Sequence, residues 1–298
     1  MDVSISVSAD RISAVCGRAA GKSIKLSGFA EVSLPEGTLI NGAVTNEGAF
    51  TDGMEKLRKA VGRGNLSHAR LVIGTNQMFI KRTVAPKMPE KRLLEWVEGE
   101  FSELDAAEDP LLFDYEIVED LGPDQGNEAL IAAARTSLVA AYAERFKALQ
   151  IRIDGIDMTH SALKKLMNFL PETRGGTGIL LMLDGNILDA TLYVKGRFRY
   201  NSRARIFAER GTADSFSEIS RTVSSIIQFN ASERSGETVS NVYFAGLKPG
   251  EETLISHIEG AFPVRAEALS DPSGVIETKQ EGFVLSDYAC AVGNLIRR

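Results

Sequence analysis

Short apolar runs that alternate with polar residues dominate the start of the chain. "DVSISVS" (2–8), "RISAVCGR" (11–18) and "SIKLSGFAEVSL" (23–34) read as three consecutive strands, rich in β-branched residues and separated by Gly or small polar residues. The period then changes. In "EGAFTDGMEKLRKAVG" the apolar positions are Phe50, Met54, Leu57 and Val61, which is helical spacing, and Gly62 and Gly64 stop it. Two strands follow, "ARLVIGT" (69–75) and "MFIKRTVA" (78–85). Pro86 and Pro89 then frame a helix, "EKRLLEWVEGEFSEL" (90–104), whose Leu93, Leu94, Val97 and Phe101 form an apolar face. The strands "LFDYEIVED" and "EALIAAA" flank the turn "LGPDQGN". A helix over 136–150 opens on Thr136 or Ser137, either of which can cap it. A strand (151–158) and a helix (159–170) complete this half.

"PETRGGTG" (171–178) reads as a hinge, and beyond it the pattern begins again. Three strands (179–185, 187–196, 197–207) lead into a long helix (212–231), a strand (241–247), a helix (251–262) and a closing helix from Ser286. Both halves therefore read as three antiparallel strands, a helix, then more strand and helix. Two similar α/β lobes about a hinge usually leave a cleft between them.

Composition narrows the possibilities. The chain has 298 residues, enough for a large core and two lobes, with 44% hydrophobic and 25% charged residues as in ordinary soluble proteins. A net charge of -6 argues against a general nucleic-acid binder, which needs a basic face. Cys16 and Cys290 lie in apolar surroundings and read as buried thiols in a reducing cytosol. No run approaches the ~20 apolar residues of a membrane span, and no basic segment followed by an apolar one marks a signal peptide. The expected location is cytoplasmic, with any membrane contact made through a partner. His68, His160 and His257 are scattered without ligand spacing, so no metal site is expected.

The order of segments resembles the PilM family, the actin-like cytoplasmic proteins of type IV pilus assembly within the wider FtsA/PilM group. The resemblance runs through "INGAVTNEGAFTDGMEKLRKAV", "LVIGTNQMFIKRTVAPKMPEKRLLEWVEGEFSEL", "ALIAAARTSLVAAYAERFKALQIRIDGIDM", "EISRTVSSIIQFN" before "VSNVYFAGL", and "SDYACAVGNLIRR". It covers nearly the whole chain. It implies an α/β, actin-like (ribonuclease H-like) two-lobed fold with an inserted subdomain called 1C. The implied division is 1–67, 136–172 and 283–298 for lobe I, 68–135 for 1C, and 173–282 for lobe II.

In the family, ATP sits between lobes, gripped by two hairpins and an adenosine segment. The first hairpin carries a G-I-D-I-G-like motif, and the resemblance places Ser4, Ser6 and Ser8 at its Gly, Asp and Gly. Serine supplies no carboxylate for a magnesium ion, and a Cβ at both glycine positions crowds the turn. The second hairpin places Met182 at the family's Asp and Asp184 at its Gly. Asp184-Gly185 reads as a hairpin turn, or as a partial substitute if the register slips by two. Ile187 and Leu188 fall where the tip should be polar. The adenosine segment keeps Gly246 between Ala245 and Leu247. Ser6, Ser8, Asp184, Gly185 and Gly246 thus read as vestigial nucleotide positions, and no cofactor is expected, with ATP and magnesium as the alternative.

The resemblance implies a PilN-like inner-membrane partner, whose cytoplasmic N-terminal peptide occupies a groove between subdomains 1A and 1C, and a link to pilus assembly ATPases. Phe79, Lys81, Arg82 and Trp96 are the candidate contacts, although Trp96 also reads as core. The expectation is a scaffold at the inner face of the cytoplasmic membrane. The rivals are an ATP-binding actin-like protein, an FtsA-like division protein and the related cytoplasmic region of a type II secretion protein, against which the missing transmembrane span counts. FtsA-like chains end in an amphipathic membrane helix, whereas this one stops after its last packed helix.

Three further motifs have bland readings. "GRAAGKS" (17–23) is one residue short of a P-loop and precedes a strand, so it reads as a hairpin turn. "KGRFRYNSRARIFAER" holds Lys195, Arg197, Arg199, Arg203, Arg205 and Arg210, either a solvated basic face or a dock for an acidic partner or anionic leaflet. Asp154 and Asp157, near Glu172, fall on opposite faces of a strand and read as strand-end acids. No Ser/His/Asp or Cys/His arrangement can be assembled, so no catalytic residue is assigned.

Overall fold

The computed structural model describes residues 2–61, 66–104, 107–233 and 236–297. Gly62 and Gly64, the expected stop of the first helix, lie outside the described residues. The described residues fall into two compact units, one of 2–40, 44–74 and 154–297 and one of 41–43 and 75–153.

The first unit opens with β1 (Asp2–Val7), β2 (Arg11–Ala20) and β3 (Ser23–Ser33). They form an antiparallel meander, with Ser4 opposite Val15 and Ser13 opposite Glu31. The P-loop-like segment is the β2–β3 turn, where Gly21 adopts φ +60°. The two-residue strands β4 (Leu39–Ile40) and β5 (Ala43–Val44) precede α1 (Glu47–Ala60). Asn46 caps α1 by accepting from Ala49 N, and Phe50, Met54 and Leu57 are buried as the spacing predicted. β6 (His68–Ile73) then pairs parallel to β1.

The second unit holds β7 (Met78–Ala85), α2 (Glu90–Glu100), β8 (Leu111–Asp120), β9 (Asn127–Arg135) and α3 (Thr136–Ala148). The sheet order is β7-β9-β8, antiparallel throughout. Leu93, Val97 and Phe101 pack with Ala85, Leu111, Ala129, Ile131 and Ala133, while Leu94 is exposed. The expected self-cap of α3 is not formed. Arg135 is the N-cap residue, and the Asp109 carboxylate accepts from Ser137 N (3.0 Å) and Ser137 Oγ (2.8 Å). A carboxylate beside a helix start satisfies the same free donors with more charge than a hydroxyl can.

The first unit resumes with β10 (Arg152–Met158), α4 (Thr159–Phe169), β11 (Gly178–Asp184), β12 (Ile187–Val194), β13 (Arg197–Arg205), α5 (Ala213–Ser232), β14 (Asn241–Ala245), α6 (Thr253–Ala261), β15 (Arg265–Ala268), β16 (Ile276–Thr278) and α7 (Leu285–Leu295). Its two sheets repeat one topology. One has the order β16-β3-β2-β1-β6-β10 and the other β13-β12-β11-β14-β15. In each, the first strand of a meander pairs parallel with the strand that follows the next helix. The sequence repeat of strands and helices is this repeated sheet. The short β15 and β16 were not foreseen, because three or four residues carry too little periodicity.

The expected insertion, 68–135, differs from the second unit at both ends. His68–Ile73 is a strand of the β1 sheet, and α3 groups with the second unit. In the first unit, Ile179, Leu181, Leu188, Val223, Ile226 and Phe244 belong to one core under α5 and α6. Every residue of α7 except Asp287 is buried. A Cβ on Gly293 would stand 2.0 Å from the Ala162 carbonyl oxygen, so this glycine is what lets α7 lie against α4.

Candidate functional site

The serines that open the chain have three different jobs. Ser4 is fully buried, and its Oγ accepts from Asn294 Nδ2 of α7 at 3.0 Å. Ser6 faces a small cavity together with Ser8, Thr159, Met182, Asp184, Ile187, Asp189, Arg203 and Cys290. Ser8 closes the β1–β2 turn, with its N and Oγ donating to the Arg11 carbonyl at 3.0 and 3.1 Å. The cavity offers about 10 Å³ to the centre of a water molecule, room for about one water. Small-molecule sites usually hold roughly 300–1,000 Å³.

The β1–β2 and β11–β12 turns meet directly. Ala9 N donates to Asp184 Oδ1 at 2.5 Å. Burial pushes the Asp184 carboxyl up to about 6, against the lowering effect of the Ala9 amide. Gly185 turns the chain with φ +54°, and its added Cβ would meet Ala9 Cβ at 3.2 Å. The expected hairpin turn at Asp184-Gly185 is therefore formed, with Asp184 the last residue of β11 and Ile187 the first of β12. Leu188 is in the core rather than at a polar tip. Beside the turn, Lys248 Nζ lies 3.0 Å from Asp10 Oδ2.

Gly246 is reached through a third group. Arg210 Nη1 donates to the Gly185 carbonyl and Nη2 to the Gly246 carbonyl, each at 3.0 Å. Its Nε donates to Glu251 Oε1 at 2.8 Å, and Nη2 also contacts Glu251 Oε2. Glu251 Oε2 further accepts from Lys248 N at 2.7 Å. Both side chains are buried. A Cβ on Gly246, at φ +76°, would lie 2.2 Å from the Leu183 carbonyl oxygen, so the backbone approach here requires glycine.

A second buried polar group was missed entirely. Asp189 of β12 accepts from Asn201 Nδ2 at 2.5 Å and lies 3.0 Å from His160 Nε2 and 3.5 Å from Arg203 Nη1. Burial alone would raise Asp189, but the His160 charge, the hydrogen bonds and Arg203 hold it below the ordinary carboxylate value. His160 is correspondingly held above its ordinary value, because Asp189 outweighs the effect of burial. The available signal was an acid in the apolar strand "ILDATLYV", which demands a partner when buried. Burial pushes the Cys290 thiol up to about 12, so it is an inert core thiol.

The basic segment is largely neutralised by the chain's own acids. Lys195 meets Glu237 at 3.0 Å, Arg199 pairs with Glu233, Arg203 with Asp189 and Arg210 with Glu251. Asp154, Asp157 and Glu172 do not gather. Asp154 lies 3.5 Å from His68 Nδ1, Asp157 accepts from Lys165 Nζ at 2.5 Å, and Glu172 accepts from Ser273 N at 2.8 Å.

In the second unit, Phe79 and Trp96 pack partly buried against the α2–sheet core. Lys81 Nζ donates to Glu100 at 2.6 Å, and Arg82 pairs with Glu128. β7 is an edge strand that runs eight residues in unbroken register with β9, and Val84 on it is 56% exposed. The other edge, β8, carries a bulge between Ile117 and Glu119.

No protein-family model and no curated protein matches the sequence. Solved structures do. One from a PilM–PilN type IV pilus biogenesis complex superposes with TM-score 0.81 at 16% identity, covering 99% of this chain and 97% of that one. The fold is actin-like, of the PilM kind. Two others share that actin-like frame at greater distance. The ethanolamine utilization protein EutJ from Carboxydothermus hydrogenoformans has TM-score 0.52 at 8% identity, covering 98% of this chain and 89% of that one. A Bacteroides thetaiotaomicron protein with an actin-like ATPase fold and unknown function has TM-score 0.50 at 12% identity, covering 90% of each chain. Among the described residues no helix is long and apolar enough to cross a membrane.

Proposed function

We propose that this chain is a nucleotide-independent scaffold of a type IV pilus assembly machine. It works at the cytoplasmic face of the inner membrane, reached through the N-terminal peptide of a PilN-like partner. The observation that carries this reading is the fold match, over 99% of this chain, to a structure of a PilM–PilN type IV pilus biogenesis complex. The pilus assembly ATPases are the further partners that the family resemblance implies.

The residues present do not fit a magnesium-bound triphosphate. By the family resemblance Ser6 falls at the position of a carboxylate, while Asp184 accepts from the Ala9 amide and Arg210 donates to the Gly185 and Gly246 carbonyls. This supports a scaffold over an ATP-driven actin-like protein.

For the peptide, β7 is the best-suited element. Its outer edge pairs with no other strand among the described residues, it lacks the bulge of β8, and it presents Val84. An extended peptide gains backbone hydrogen bonds on such an edge, and its alternate side chains read the surface beside it. Phe79 and Trp96 serve by holding β7 and α2 on their core, while Lys81 and Arg82 lie along the docking strand.

The test is calorimetry of the chain against a synthetic N-terminal peptide of the PilN-like protein, with Mg-ATP in a parallel titration. Saturable peptide binding that weakens at least tenfold in Val84→Glu at unchanged melting temperature is the expected result. Absence of peptide binding defeats the scaffold reading, and micromolar Mg-ATP binding favours the ATP-dependent rival.

A further inference from the structure

We infer that Asp184 is a built-in anion that occupies the tip of the β1–β2 hairpin and keeps other anions out, an autoinhibitory contact within the first unit. Backbone amides exposed at the tip of a turn are anion donors by geometry, because neighbouring N–H groups converge there without strand partners. Here the donor is spent on the chain itself. Ala9 N reaches the Asp184 carboxylate at 2.5 Å, across 175 residues of sequence. The acceptor side of the contact is buried, with Asp184 inside the fold and an adjoining cavity that holds about one water, while Ala9 is half-buried.

The surroundings fix the carboxylate in place. Gly185 brings the two turns within van der Waals reach, Lys248 ties Asp10 from the far side, and Arg210 fastens the Gly185 carbonyl to Glu251. Each of these links joins a turn to another part of the unit. Together they reproduce with protein groups what a bound anion would do at the same donor. The contact does not depend on any pilus partner, so its failure and the failure of the scaffold reading are read by different experiments.

The test compares wild type with Asp184→Ala, which removes the acceptor, and Asp184→Asn, which keeps one. Amide hydrogen exchange at Ala9 should accelerate at least tenfold in Asp184→Ala and stay within about threefold in Asp184→Asn. Exchange of β9 in the second unit should not change. Inorganic phosphate should raise the melting temperature of Asp184→Ala in a dose-dependent way and leave wild type unmoved. Unchanged Ala9 exchange in Asp184→Ala, or a wild-type melting temperature that rises equally with phosphate, overturns the inference.

If Asp184→Ala does not fold, the wild-type protein still decides. The groups facing Asp184 or sharing its cavity are Asp10 and Arg11 from the first hairpin, Asp189 from β12, Arg203 from β13, Thr159 from α4 and Cys290 from α7. The Ala9 amide proton resonance should shift as the carboxylate titrates, and the shift should vanish in Asp184→Asn, where those neighbours are retained. An Ala9 resonance insensitive to that titration, or one that shifts identically in Asp184→Asn, refutes the contact.

Discussion

Replacing Asp184 by Asn should stabilise the protein at neutral pH and leave its stability unchanged in acid. Burial raises the Asp184 carboxyl to about 6, roughly 2 units above an ordinary aspartate. Each unit corresponds to about 1.4 kcal/mol, so ionising Asp184 inside the fold costs about 3 kcal/mol relative to ionising it in the unfolded chain. The sign follows from proton counts. Between pH ~4 and pH ~6 the folded chain retains a proton that the unfolded chain has released, so stability falls as pH rises through that window. Above it the full cost is present. Asn keeps the shape and an acceptor for Ala9 N but has no proton to lose. The stability gap between variant and wild type should therefore grow from near zero at pH 4 to about 3 kcal/mol at pH 7.5. Urea unfolding of both proteins at pH 4, 5.5 and 7.5 measures it, and all other titrations cancel in the difference. A gap independent of pH, or one that closes as pH rises, refutes the reasoning.

Two further substitutions test the packing that holds the site. Arg210→Met should cost about 4 kcal/mol in urea unfolding, because it leaves Glu251 as a buried unpaired charge and orphans the Gly185 and Gly246 carbonyls. Adding Glu251→Met should recover part of that loss, and a double variant worse than the sum of the singles contradicts a paired staple. Gly293→Ala should cost about 3 kcal/mol despite its better helix propensity, since the new methyl meets the Ala162 carbonyl at 2.0 Å. A neutral melting temperature there would mean that α4 and α7 can separate freely.

The strand and helix order was legible because each element is long enough to show its period. α1 is the clear case, with every predicted apolar position at Phe50, Met54 and Leu57 buried. The actin-like class was legible from the order of segments, and the PilM-like superposition agrees with it. What could not be read was any interaction that joins distant segments through one side chain. Asp109 caps α3 from 28 residues away, and Arg210 chooses Glu251 over the adjacent Glu209. Ser4, Ser6 and Ser8 look alike on an alternating strand, yet one anchors α7, one faces a cavity and one closes a turn. Periodicity assigns a face, whereas partner choice depends on what the rest of the chain brings to that face. The basic stretch shows the same limit, for its charge is offset by acids at 189, 233, 237 and 251.

The repeated sheet explains why those long-range links converge where they do. In both sheets the first two strands of the meander join through a turn, and residues beside each turn, Ser8 at one and Asp184 and Ile187 at the other, line the same cavity. Two turns facing one small space present several amides and carbonyls with no strand partner, and buried groups of that kind must be satisfied. A bound ligand is one solution. This chain uses another, in which Asp184 takes an amide, Arg210 takes two carbonyls, and Asn294 ties α7 to Ser4 beneath them. Burial of the Asp184 carboxylate, which raises its pKa, is then the counterpart of that solution.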